Sequence, residues 1–197
     1  MTAYTFFGCA LTAYGTPLAL FLLTISSDPV KIIILILSAF FWLLSLLSSA
    51  ILWTAVVPLK VELLLFLHLF VLSLFLQEEL AFGLVFSVLF QELFRFLIYL
   101  LLDRADTYLK KLTETEETQI FANKHILAYV VGLGFGLMSG AFSLVNVLAA
   151  SLGPGTLGFN GEPHNFFIVS AVMTLCMVLL HTSWGVIFFS SLDSGNI

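Results

Sequence analysis

The run "ILAYVVGLGFGLMSGAFSLVNVLAA", residues 126–150, decides the fold, because it passes through its whole length without one Asp, Glu, Lys or Arg. A helix rises about 1.5 Å per residue and the hydrocarbon core of a bilayer is about 30 Å thick, so a run of this length reads as one crossing. Four more such runs lie at 4–25, 31–57, 80–102 and 166–190, and a shorter, ambiguous one at 61–76 is bounded by Glu62 and by the pair Glu78 and Glu79. With 60% hydrophobic residues, 10% charged residues and 21 phenylalanines in 197 residues, the chain has too little polar surface to cover a water-soluble globule. The runs are continuous rather than alternating, which selects helices over barrel strands. The expectation is an all-α, polytopic transmembrane bundle forming one membrane domain over 1–197, with five clear spans and a sixth in question.

The first run lacks a basic leader region and a small-residue cleavage site, so it reads as a retained helix rather than a signal peptide. Cys9 and Cys176 each sit inside an apolar run with no paired spacing, which suits packing rather than a disulfide or a metal knuckle. The net charge of −5 offers no basic stripe for nucleic acid.

Orientation follows the lysines and arginines. Arg104, Lys110, Lys111 and Lys124 fall in the polar connection 103–125, whereas 150–165 has no basic residue, so the first is expected in the cytosol and the second outside. The acidic "TETEETQ" (113–119) reads as a solvated linker. The amino end depends on the ambiguous run: if it does not cross, residue 1 is external and Lys31 cytosolic; if it crosses, residue 1 is internal and Lys60 cytosolic. Turn chemistry marks helix ends at "SSDP" (26–29), "VPLK" (57–60) and "GPGTLGFNGEP" (153–163).

"VGLGFGLMSG" (131–140) places four glycines, weak helix formers, inside a spanning run. At about 100° per residue, Gly136, Ser143 and Asn146 fall within about 40° of Gly132, and Gly140 within about 80°. Gly134 lies on the opposite side and belongs to a different contact or to none. Lipid gives no hydrophobic drive between helices, so small residues that let backbones approach must supply it. The face of Gly132, Gly136, Gly140, Ser143 and Asn146 is therefore expected to dock a helix, either a partner's or one of this chain. Substitution by leucine at Gly132 or Gly136, but not at Gly134, is expected to disrupt that docking.

Two polar groups stand at membrane depth. In "FQELFRFLIY" (90–99), Glu92 and Arg95 are three apart and Gln91 and Arg95 four apart, so the three share a face. An ionised group there costs a few kcal/mol on insertion scales, about 2.5–3.5 at a helix centre, so the face should meet protein or a polar cavity. His181, in "LLHTSWG" (179–185), lies near the middle of the last run with Thr182 and Ser183 beside it. A lone histidine is a packing residue more often than a ligand, since zinc needs three or four, and neither a metal nor another cofactor is expected.

The segments "FFGCALTAYGTPLALFLLTISSDPVKIIILILSAFFWLLSLLSS" (6–49), "LAFGLVFSVLFQELFRFLIY" (80–99), "KHILAYVVGLGFGLMSGAFSLVNVLAASLGPGTLG" (124–158) and "LLHTSWGVIFF" (179–189) together resemble the anterior-pharynx-defective (Aph) family, the scaffold subunit of γ-secretase. The resemblance implies a non-catalytic subunit that assembles with presenilin, nicastrin and the presenilin enhancer, in the endoplasmic reticulum, Golgi and plasma membrane. It implies that presenilin supplies the catalytic aspartates for cleaving type I membrane proteins such as Notch and the amyloid precursor protein. The family's assembly-linked glycine motif falls on Gly132, Gly136 and Gly140, its presenilin-linked histidine on His181, and its third-helix polar group on Gln91, Glu92 and Arg95.

The family has seven helices with a lumenal amino end, whereas this chain carries five clear runs up to "SSLDSGNI" and no counterpart of the family's second intramembrane histidine. The segment "VELLLFLHLFVLSLFLQE" (61–78) has no family equivalent, and the resemblance favours a lumen-side hairpin or interfacial segment there. A competing reading is an intramembrane protease of the prenyl-protease-like fold, with Glu92 activating water beside His181.

Overall fold

The computed structural model describes residues 3–64, 72–112, 123–152 and 165–195, with side chains at 4–55, 83–108, 123–149 and 165–194. Among the described residues all regular structure is helical: α1 Ala3–Thr24, α2 Pro29–Leu64, α3 Leu72–Leu112, α4 Lys124–Leu152 and α5 Phe166–Gly195. Each holds a segment long and apolar enough to cross a membrane, and these five segments fall on the five runs read from the sequence.

Local chemistry explains the boundaries. Asp28 caps α2: its Oδ1 accepts the Val30 N–H at 3.1 Å, and Pro29 takes the first helical position, where a missing N–H costs nothing. The turn read at "VPLK" is not there, because α2 continues through Pro58 to Leu64. A membrane helix tolerates proline, since in lipid the remaining backbone groups find partners only by staying helical. The polar connection read from residue 103 begins later, as α3 continues through "DRADTYLKKL" to Leu112. Ala, Leu, Arg and Lys are good helix formers, and Asp106 stands four residues before Lys110, a supporting spacing. The ambiguous run at 61–76 is helical at its two ends, to Leu64 in α2 and from Leu72 in α3; its middle, 65–71, lies outside the described residues, as do "TETEETQ" and "GPGTLGFNGEP".

Packing divides the chain into two compact units, Met1–Ala39 with Asp106–Ile197, and Phe40–Ala105. In the first, α4 is central: every residue from Val130 to Gly136 is buried, although a surface helix would turn one face outward. Against it lie α5, α1 and the first turns of α2. Cys9 and Ala13 of α1 pack with Leu144 of α4 and with Phe167 and Ala171 of α5, and Tyr14, Val147, Leu148 and Phe166 close around them.

These contacts fix directions. Ala13 is level with Leu144 and Thr24 Oγ1 lies 3.3 Å from the Tyr129 hydroxyl, so α1 and α4 run antiparallel. At the same end, Lys124 Nζ donates to Asp193 Oδ1 at 2.7 Å, joining the start of α4 to the close of α5. The end of α1, the start of α4 and the end of α5 therefore share one side. Lys31, whose Nζ lies 3.7 Å from Asp28 Oδ2 and 3.4 Å from the Thr24 carbonyl oxygen, belongs to that side as well. Within this unit, then, Lys31 and Lys124 are at the same end, and α1 begins at the other.

In the second unit, α2 and α3 form an antiparallel pair. Phe41 meets Phe94 edge-on with ring centroids 6.1 Å apart, and farther along, Gly83 gives way to the Trp53 ring, which a Cβ would meet at 2.7 Å. Hydroxyls in α2 return to their own helix, Ser45 to the Trp42 carbonyl at 2.6 Å and Ser48 to the Leu44 carbonyl at 2.8 Å. Such back-bonding keeps polar groups satisfied where no water reaches.

Candidate functional site

The glycine face of α4 is occupied by α5. A Cβ at Gly132 would sit 2.7 Å from the Thr182 carbonyl oxygen and 2.9 Å from that of His181; one at Gly136 would sit 2.6 Å from the Val178 carbonyl oxygen. The obstacles are backbone, which cannot swing aside as a side chain can. At Gly140 the neighbours are methyl groups, Val178 Cγ2 at 2.9 Å and Thr174 Cγ2 at 3.2 Å. Ser143 continues the seam, its Oγ 3.2 Å from Thr174 Oγ1. Asn146 is exposed. An interhelical hydrogen bond in a membrane contributes about 0.6 kcal/mol on average, so the close backbone packing at Gly132 and Gly136 holds the pair more than Ser143 does.

Of the two occupants the sequence left open, this structure shows the helix of the same chain. It also shows what Gly134 meets. A Cβ there would meet the Leu35 carbonyl oxygen at 2.6 Å and collide with Ser38 Oγ, so Gly134 admits α2 as closely as Gly132 and Gly136 admit α5. Gly134 thus has a contact of its own on the opposite side of α4, the first of the two places the sequence left open for it. Ser38 Oγ donates to the Leu35 carbonyl at 2.7 Å, which spends the hydroxyl inside α2 and leaves a smooth seat.

Sequence reading passed over Gly185. A Cβ on it would lie 2.7 Å from Gly132 Cα, 3.1 Å from Gly132 N and 3.2 Å from the Ala128 carbonyl oxygen. The signal was present but faint: on α5, Ala171, Thr174, Val178, Thr182 and Gly185 recur every three or four residues, and all are buried. His181 belongs to this inner stripe and is 8% exposed.

The polar group of α3 lies in the second unit. Arg95 is fully buried, and its Nη1 donates to Glu92 Oε1 at 3.1 Å, while the Glu92 side chain stays 31% exposed and Gln91 is half-buried. The pair spans one helical turn, as the spacing of three required. Glu92 is thus one member of an ion pair made through a single carboxylate oxygen.

These features define a class: a multi-pass membrane protein whose α4 and α5 meet backbone to backbone at their glycines. Residues 4–197 match the family model described as Aph-1 protein. The gamma-secretase subunit Aph-1 of Drosophila melanogaster is 52% identical over 196 residues, taking in 100% of this chain and 74% of that protein. The gamma-secretase subunit APH-1B of Homo sapiens is 43% identical over 201 residues, 98% of this chain and 71% of that protein. A gamma-secretase subunit APH1-like of Arabidopsis thaliana is 30% identical over 199 residues, 100% of this chain and 74% of that protein. The chain belongs to the Aph-1 family.

Proposed function

We propose that the chain is a non-catalytic scaffold subunit of γ-secretase, stabilising presenilin and supporting the cleavage of type I membrane proteins such as Notch and the amyloid precursor protein. The observation that carries this is the collinear match of the whole chain to relatives named as subunits of that complex, at 52% identity for the fly protein. The geometry agrees in kind. The glycines of α4 serve helix packing, and Glu92 is engaged by Arg95 within α3.

In this reading presenilin, nicastrin and the presenilin enhancer are the partners, and the endoplasmic reticulum, Golgi and plasma membrane are the compartments. With the basic connection before α4 in the cytosol, Lys31, Lys124 and Asp193 face the cytosol and α1 begins on the lumenal side. Gly132, Gly136 and Gly140 support assembly by shaping the α4–α5 pair that partners meet. Solubilisation of the chain in digitonin followed by capture tests it: presenilin and nicastrin should co-purify, and recovery of the chain without either would refute it.

A further inference from the structure

We propose that Gly185 is a positioning residue for this assembly function: its contact with Gly132 holds the turn of α5 that carries His181 against α4 and keeps the imidazole turned into the protein. The inference rests on the scaffold reading above and adds to it a residue and a route.

The argument starts from one helical turn. In an α-helix the N–H of Gly185 bonds the carbonyl of His181, four residues earlier, so these two residues close a single turn. Both ends of that turn press on Gly132. The His181 carbonyl oxygen would be 2.9 Å from a Cβ on Gly132, and a Cβ on Gly185 would be 2.7 Å from Gly132 Cα. The seat is therefore two-sided: Gly132 is needed because the backbone of His181 and Thr182 fills the space beside it, and Gly185 because the backbone of Gly132 does. A methyl on Gly185 has nowhere to go, since Gly132 N at 3.1 Å and the Ala128 carbonyl oxygen at 3.2 Å are also backbone atoms. The turn must lift or rotate, and His181 moves with it.

Rotation matters because burial changes sharply around this turn. His181, Thr182 and Gly185 are buried, while Ser183 and Trp184 between them are exposed. A change of phase exchanges these sets and brings an imidazole out of a packed interior into lipid or a partner's surface. Farther along the same interface Gly140 meets side-chain methyls and Ser143 reaches Thr174, contacts that can adjust. The lesion at Gly185 is thus local to the His181 end.

The test uses the full chain in a background carrying Cys9→Ala and Cys176→Ala. In a first series the thiol introduced by His181→Cys is titrated with a maleimide after solubilisation in a mild detergent at alkaline pH, where water reaches the helix surface and the reactive thiolate can form, with and without Gly185→Ala. Gly185→Ala should raise its labelling rate as packing at that turn is lost. In a second series, Ser143→Cys with Thr174→Cys reports whether the two helices remain together, and its disulfide yield should be unchanged by Gly185→Ala. In a third, with His181 intact, presenilin co-purification should fall with Gly185→Ala. A thiol that stays shielded overturns the proposal. So does loss of the 143–174 disulfide, which would mean that the helices have simply separated, and so does full presenilin recovery despite an exposed thiol. If the unaltered chain does not capture presenilin at all, the scaffold reading fails, whatever the labelling shows, and with it the link from Gly185 to assembly.

Discussion

The Val178 carbonyl oxygen lies so close to Gly136 that a Cβ there would stand 2.6 Å from it, with Val178 Cα at 3.1 Å. Backbone against backbone leaves no rotamer to relieve the clash, and overpacking of a dense interior costs about 1–3 kcal/mol. Gly136→Ala should therefore lower the melting temperature of the detergent-solubilised chain. Gly140→Ala, which meets only side-chain methyls, should lower it less, and the order of the two in one thermal scan checks the assignment.

Gly134 is expected to be as sensitive as Gly136, although it lies on the other side of α4. Its neighbours are the Leu35 carbonyl oxygen and Ser38 Oγ of α2. Gly134→Ala should lower the melting temperature by a similar amount, and adding Ser38→Gly should recover part of it, since the hydroxyl then leaves while the Leu35 carbonyl stays. Thermal scans of the two single variants and the double variant supply the comparison, and equal losses with and without Ser38→Gly would count against the α2 seat.

Lys124 and Asp193 meet at 2.7 Å, but their side chains remain 52% and 24% exposed. Pairs of that kind contribute about 0–1 kcal/mol and are screened by salt. Asp193→Asn should shift the melting temperature slightly at low ionic strength and not measurably at about 1 M salt, where the screening length falls to about 3 Å.

For Glu92 and Arg95 the balance is different, because Arg95 is fully buried. Removing one member of a buried pair costs about 3–5 kcal/mol, and the partial exposure of Glu92 puts Glu92→Gln near the low end of that range. Arg95→Met combined with Glu92→Gln removes both charges and should be milder than Glu92→Gln alone. The yield of monodisperse protein from membranes, compared across the two variants, reads this directly.

The five spans were legible in the sequence because insertion into lipid depends on the apolarity of a run, a property of consecutive residues. The ion pair of Glu92 and Arg95 was legible for a similar reason, as a spacing of three fixes their face without knowledge of any neighbour. Occupancy was not legible. Angles placed Gly134 opposite Gly132, but only the packed structure shows that Leu35 and Ser38 fill that side, and only the α5 backbone gives Gly185 its purpose. Asn146 shares the face set by angle yet lies exposed, as α4 is buried all round only over Val130–Gly136. The ends of α2 and α3 were misjudged because Pro58 and the charged residues after 102 are punctuation in water and weaker punctuation for a helix entering or leaving a membrane.

The most direct test is restoration of γ-secretase cleavage in cells that lack their own Aph-1 subunits, using a Notch-derived reporter and expressing this chain. Cleavage should return, should depend on presenilin's catalytic aspartates, and should survive Glu92→Gln in proportion to the amount of chain that remains folded. Cleavage of a membrane substrate by the purified chain without presenilin, abolished by Glu92→Gln at unchanged folding, would contradict a scaffold and establish a protease in its place.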